Sequence, residues 1–207
     1  MNDILPQFLT GLKQTSLAEF IAVVSGIVSV WFYRKENIWV YPTGLINTII
    51  YIYLSIEGNL LGEASVNVYY TIMSVYGWIL WSKKDESQHA VVVIKHSSLK
   101  EWGGHLLFFS IFYVSIFLAL SYLEKGIAPG AVPAADAFAS ATAYTGMWLM
   151  VKKKVESWYW WIATNLASIP LYFSKGYVFT SFQFVVLLVM AFAGLVAWHK
   201  KATYARS

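Results

Sequence analysis

The chain has 207 residues, of which 58% are hydrophobic, 18% aromatic and only 13% charged, with a mean hydropathy of +0.55. Soluble domains carry about 25% charged and about 45–50% apolar residues, so a water-soluble globule is excluded. Fifteen Lys and Arg against eleven Asp and Glu leave a net charge of +4, and no cysteine is present. The bases sit in short clusters beside apolar spans, the pattern of a membrane protein's basic side rather than of a nucleic-acid surface. Disulfides, iron–sulfur centres and thiolate metal sites are excluded.

The first fifteen residues hold Asp3, Pro6 and Lys13 and lack a basic region followed by a cleavage site, so no signal peptide is expected. A bilayer core of about 30 Å needs about 20 apolar residues of helix. Seven segments answer to that length: 16–33, 38–56, 62–82, 102–123, 131–151, 157–174 and 176–198. Gly58, Pro129, Pro133 and Gly176 punctuate the short turns. The one hydrophilic loop is 83–101, whose Ala90–Ile94 run is too short to span and reads as a strand or a surface-lying piece.

Seven spans put the two termini on opposite sides. The connections 34–37, 83–101 and 152–156, with the tail 199–207, carry twelve Lys and Arg, against Lys13, Lys125 and Lys175 on the other face. The positive-inside bias predicts a cytoplasmic C-terminus and an N-terminus outside.

Shifting the chain by 117 residues superposes Glu19 on Asp136, Trp31 on Trp148, Lys35 on Lys152, Gly77 on Gly194, Trp81 on Trp198 and Lys83–Lys84 on Lys200–Lys201. Between these anchors the register drifts by one or two, pairing Asn47 with Asn165, Gly58 with Gly176 and Trp39 with Trp158. The arithmetic predicts an all-α membrane protein in which a three-helix repeat and its loop (1–101), a linker helix (102–123) and a second three-helix repeat (124–207) follow one another. An odd linker makes the repeats parallel, with a substrate between them near mid-membrane.

Polar side chains in hydrocarbon are costly unless they face the bundle interior, which makes them functional candidates. Thr43, Asn47 and Tyr51 share one helical face; Asn67, Tyr70 and Ser74 share a second; Trp161, Asn165, Ser168 and Tyr172 share a third, beside Pro170. Gln183 lies in the outer half of the seventh span. Amides present both donor and acceptor, and aromatic faces stack on rings and favour positive charge. Such a lining suits a flat, neutral-to-cationic ligand, although interhelical bonding is the alternative use of the amides. Glu19 and Asp136 sit at span ends, as structural groups or proton sites, and Glu63 lies just inside the outer end of its span. Trp31, Trp39, Trp81, Trp102, Trp148, Trp158 and Trp198 lie near span ends, and most of them read as interface-belt anchors. His89, His96, His105 and His199 have no metal-ligand spacing. Phosphate-loop, nucleophile-elbow and H-E-x-x-H motifs are missing, which argues against an enzyme. A receptor-like sensor stays open on these residues alone.

The stretches Asn37-Ile-Trp39-Val-Tyr-Pro42-Thr-Gly44, Val68-Tyr69-Tyr70-Thr-Ile-Met73-Ser74-Val-Tyr76-Gly77-Trp78, Glu156-Ser-Trp158-Tyr-Trp-Trp161 and Ile169-Pro170-Leu-Tyr172 resemble those of the PnuC vitamin transporters, over about residues 18–200. The resemblance implies a three-plus-one-plus-three fold similar to that of the SWEET sugar transporters, a homotrimer in the bacterial inner membrane, and no cofactor. It implies uptake of nicotinamide riboside for NAD biosynthesis by facilitated diffusion, with capture by a cytoplasmic kinase; relatives carry thiamine, riboflavin or deoxynucleosides. Tyr70 and Trp161 would be stacking walls, with Asn47, Asn67, Asn165 and Gln183 as hydrogen-bonding partners and Tyr51 and Tyr172 nearby. The chain departs from the expected Ala-Asp-x-x-Leu-Gln, reading Gly62-Glu63-Ala-Ser-Val66-Asn67. The shorter amide of Asn67, one turn from Tyr70, bears on which vitamin the pocket takes.

Overall fold

The structure, a computed structural model, describes Pro6 and residues 16–57, 61–123, 132–174 and 178–204, with residues 61–63 described by their backbone alone. The described residues form seven helices and no named strand: α1 Leu17–Arg34, α2 Val40–Glu57, α3 Leu61–Ser82, α4 Leu99–Leu123, α5 Pro133–Val151, α6 Ser157–Ser174 and α7 Val178–Tyr204. The turn residues Gly58, Pro129 and Gly176, the lysines Lys13, Lys125 and Lys175, and the Glu63 side chain lie outside the described residues.

Local chemistry sets the ends. The Ser16 hydroxyl accepts from the Glu19 N–H at 3.1 Å and caps α1. Pro133 opens α5, and the Asp136 carboxylate accepts from the Val132 N–H at 2.6 Å. Both span-end acids therefore sit in a first helical turn, where their charge favours the helix dipole. The linker α4 starts at Leu99 rather than 102, because Ser98 and Glu101 form a reciprocal box with N–H bonds of 2.8 and 3.3 Å. Helix α7 runs past 198 to Tyr204, with Ala202 buried and Lys201 paired to Glu36 at 3.1 Å.

Three helices, α1, α4 and α7, are each long and apolar enough to cross a membrane on length and composition alone. Helix α5 differs, since most of its Ala, Thr and Gly residues are buried and neighbours press on it from several sides. Small side chains allow that close approach. Helices α1, α2 and α3 pack in sequence, as do α5, α6 and α7; the two triplets meet where α1 touches α7 and where α3 touches α5, and α4 lies against α5.

The turns after α1 and after α5 match bond for bond. In the first, Glu36 N–H donates to Tyr33, Asn37 to Phe32, Val40 to Asn37 and Tyr41 to Ile38. In the second, Lys153 donates to Met150, Lys154 to Leu149, Ser157 to Lys154 and Trp158 to Val155. Glu36 and Lys153 both take a left-handed backbone, with φ of 59° and 50°, and their side chains pair at 2.8 Å across a separation of 117 residues. The Trp81 indole donates to Val151 O at 2.9 Å while the Trp198 indole donates to Arg34 O at 3.1 Å. Each half thus donates a tryptophan bond to the last turn of the other half's first helix, an arrangement consistent with a duplicated unit about a twofold axis.

Around these bonds lies an aromatic core. Tyr33 stacks on Trp158 at 4.3 Å and meets Trp198 edge-on at 4.6 Å, and Tyr41 meets Trp81 at 5.2 Å. The expectation that most span-end tryptophans are interface anchors does not extend to Trp81, Trp158 and Trp198, which are buried. Seam burial competes with the belt for these rings and wins, while Trp31 and Trp39 stay exposed. A Cβ at Gly77 would overlap the Tyr41 ring, and a Cβ at Gly194 would overlap Trp158. Tyr41 and Trp158 thus occupy equivalent positions at an undrifted 117-residue register. The register expected from the sequence paired Trp158 with Trp39 instead, and packing against the two glycines corrects it.

The loop 83–98 forms two isolated bridges, Lys84 with Ala90 and Lys95 with Lys154, and no strand. Ile94 is buried while Val91 and Val93 are exposed. The buried Glu156 holds this loop: its carboxylate accepts from Ser97 N–H at 2.8 Å and Ser97 Oγ at 2.7 Å, and lies 3.0 Å from His96 Nδ1. Burial pushes the Glu156 carboxyl up, but the bonds from Ser97 and His96 outweigh it and leave it below its ordinary value. Glu101 accepts from the Lys154 ammonium and from the Ser98 N–H.

Two predictions follow from this packing. Gly77→Ala and Gly194→Ala should each destabilise the protein by about 1–3 kcal/mol through overpacking, read as a lower melting temperature in detergent; unchanged melting would remove the glycine–ring contacts from the account. The Glu156 carboxyl has a folded-state value below its unfolded one, so the stabilisation it gives is complete above the ordinary carboxylate range and is lost as pH falls through it toward the folded value. Glu156→Gln should flatten part of that acid dependence and speed amide exchange at residues 95–98, whereas an unaltered exchange rate would show that the loop is held by other groups.

Candidate functional site

Away from the turns, a second group of rings gathers where α3, α5 and α6 approach. Tyr69 and Tyr70 come from α3, Tyr144 from α5 and Trp161 from α6, with Phe112 of the linker behind them. Tyr69 lies 4.4 Å from Tyr144 and donates its hydroxyl to the Tyr144 carbonyl at 3.1 Å. Tyr70 is 6.4 Å from Tyr144 and 6.3 Å from Trp161. Phe112 meets Tyr144 edge-on at 5.0 Å.

Gly146 lets the Trp161 ring lie flat on α5, because a Cβ there would come within 3.2 Å of the indole. At the equivalent contact in the first half, Gly44 faces Ser29, with a notional Cβ 3.2 Å from the hydroxyl. The same small-residue contact is filled by an indole in one half and a hydroxyl in the other. The Trp161 Nε1 is buried with no hydrogen-bond partner among the described residues. A buried donor without an acceptor costs about 1–3 kcal/mol, which a ligand acceptor would recover.

Of the residues singled out from sequence, Tyr70 and Trp161 come together. Tyr172 lies close enough to Tyr70 to interact electrostatically and stacks on Phe184 at 5.2 Å. Asn165 and Ser168 are buried on the Trp161 face of α6. Asn67 is half-buried one turn before Tyr70, and its carbonyl accepts from the Thr71 hydroxyl at 2.9 Å. Tyr51 and Gln183 are half-buried on α2 and α7.

Asn47 has a structural bond, its amide donating to Ala22 O at 2.7 Å over Gly26. The corresponding polar link in the second half is Thr164 to Thr142 at 3.0 Å. Contacts therefore match Asn47 with Thr164, one residue from the Asn165 expected from the sequence.

Tyr144, Tyr69 and Phe112 were not singled out from the sequence. The available signal was the Ala/Thr/Gly composition of 133–151: a helix buried on most sides can direct an aromatic ring such as Tyr144 into protein, although Phe138 near its start is exposed. Taken together, the group presents ring faces and an indole donor with no charged side chain among them. It can bind a flat ring by stacking and favour a positive charge on it.

The sequence model described as nicotinamide mononucleotide transporter matches residues 16–200. The nicotinamide riboside transporter PnuC of Escherichia coli is 22% identical, covering 90% of this chain and 87% of its own. Its namesake from Neisseria mucosa is 26% identical, covering 87% and 71%. The riboflavin/roseoflavin transporter RibM of Streptomyces davaonensis is 21% identical, covering 92% and 85%. A crystal structure of the vitamin B3 transporter PnuC shares the fold, with a TM-score of 0.71 over 97% of this chain and 88% of that one, at 22% identity. With its seven-helix architecture and the family's sequence pattern running nearly end to end, the chain belongs to the nicotinamide mononucleotide transporter family, whose members are membrane transporters and not enzymes.

Proposed function

We propose that this transporter takes up nicotinamide riboside across the bacterial inner membrane by facilitated diffusion, with a cytoplasmic kinase trapping the product as a phosphate and feeding NAD biosynthesis. The observation that carries the reading is the approach of Tyr70 and Trp161 to 6.3 Å, the buried indole N–H of Trp161 having no acceptor among the described residues. A cationic pyridinium ring stacks on such faces, and ribose hydroxyls suit the amides beside them. Trp161 and Tyr70 are the stacking walls, Asn67, Asn165 and Gln183 the hydrogen-bonding partners, and Tyr51 and Tyr172 the flanking hydroxyls. Asn47 contributes the oxygen of an amide whose nitrogen is already committed to α1.

The unit is read as repeats 1–101 and 124–207 about the linker 102–123, rocking about the site in alternating access. The clustering of lysines at one end supports a C-terminus in the cytoplasm and an N-terminus outside. The resemblance to PnuC supports a homotrimer. The flavin transporter among the relatives favours one competing reading, a different vitamin in the same pocket, with thiamine as a further candidate. Glu63 and Asn67 are where that difference would be written.

Calorimetric titration of the purified protein with nicotinamide riboside, thiamine and riboflavin separates these readings. Nicotinamide riboside should bind and the others should not; preference for another vitamin would move the substrate while leaving the mechanism, and silence from all three would assign the amides to interhelical bonding. Trp161→Ala should weaken binding by roughly 10- to 100-fold, from the about 1–3 kcal/mol that base–aromatic stacking supplies, in a protein that still elutes as folded. Asn165→Leu should weaken it similarly; lower expression with normal affinity would make Asn165 structural. In empty proteoliposomes, labelled substrate should equilibrate without ATP or an ion gradient, and accumulation above equilibrium would overturn facilitated diffusion.

A further inference from the structure

The lysine-rich end of the molecule holds a cavity of about 310 Å³ between the start of the linker α4 and the end of α5. Its charged lining comes from Lys100 and Glu101 on one side and from Lys152 and Lys154 on the other, with His105 and Trp148 forming the apolar floor. Glu101 is committed to Lys154 at 2.5 Å. Neither Lys100 nor Lys152 has an ion-pair partner among the described residues, and Lys152 Nζ sits 3.9 Å over the Trp148 ring instead. His105 is 4% exposed, and its Nδ1 has no hydrogen-bond partner among the described residues. Gly104 also lines the cavity, and nothing lies within 4 Å of where its Cβ would be. Three ammonium groups and one carboxylate thus surround an open space above the buried His105.

We propose that this cavity binds the phosphate of an anionic phospholipid headgroup. Two uncommitted lysines leave a net positive site, and the N-terminal turn of α4 adds its dipole in the same sense. Basic pockets between helix ends at the membrane surface suit acidic lipids. The place of the cavity selects lipid over free phosphate. Along the same helix, Leu106, Leu107, Ile111 and Val114 are exposed, a continuous apolar flank on which acyl chains can lie beneath a headgroup held at Lys100. Burial and the neighbouring Lys154 charge both pull the Lys152 amine below its ordinary value, a strain that a bound anion relieves. Because α4 packs on the second triplet through α5, an occupied site would fasten the linker to the 152–156 turn.

Native mass spectrometry of the intact chain, with phosphatidylglycerol, phosphatidylcholine and inorganic phosphate as probes, tests this. Phosphatidylglycerol should be retained in preference to phosphatidylcholine and should resist displacement by phosphate. The double variant Lys100→Gln, Lys152→Gln should bind it on the order of tenfold more weakly, from the contribution expected of two surface lysines. Lys83→Gln, Lys84→Gln, which removes equal charge from the same end outside the cavity, should retain it. Gly104→Phe fills the space without changing charge and should also lose it. Equal loss from both lysine pairs, retention by Gly104→Phe, or displacement by inorganic phosphate alone would each overturn the lipid site. Vitamin binding is measured separately, so failure here is distinguishable from failure of the substrate reading.

Discussion

Everything in this molecule hangs on the seam between its two triplets, and that seam is closed by a pair of crossed indole bonds. Trp81 reaches the end of α5 and Trp198 the end of α1. An indole N–H buried without a partner is costly, and each of these two rings meets a carbonyl that receives it. The last turn of a helix has such carbonyls by construction. The tight turns after α1 and α5, each with a left-handed residue, present those carbonyls and bring Glu36 and Lys153 together. Lys153 is nearly excluded from water yet has two partners, Glu36 and the Trp81 ring at 4.5 Å. Removing one member of such a pair strands the other, so the seam is specified by mutual dependence rather than by strength alone.

Symmetry at the seam sets off the asymmetry of the interior. At one contact of the duplicated scaffold, the first half holds Gly44 and Ser29, while the second holds Trp161 and Gly146. The backbone spacing is kept and only the side-chain volumes are redistributed. At this contact an indole therefore stands in one half and a hydroxyl, already bonded to Val40 O, in the other.

Much of the architecture was legible because bilayer physics is strict about length and charge. Seven apolar runs became seven helices, and the shift of 117 residues found the anchors that later proved to share contacts. What escaped were matters of competition between similar side chains. Hydropathy does not distinguish a tryptophan at a span end that greets the interface from one that crosses to a partner, so it does not pick out Trp81, Trp158 and Trp198 as the buried ones. Asn47 was legible as important, but its bond to Ala22 needed coordinates. Tyr144 was hidden by lying on a helix with no polar stripe to mark a face. Glu156 stood in plain view beside Trp158, yet its task is to hold a loop some sixty residues earlier in the chain, which no local pattern announces.

The twinning of the seam bonds also bears on how the two triplets can part. If the two triplets turn as rigid bodies about an axis relating the paired bonds, both indoles are displaced equally, so neither bond breaks while the other holds. A seam tied in this way is made or lost as one unit, because each bond is broken by the same movement that breaks its twin.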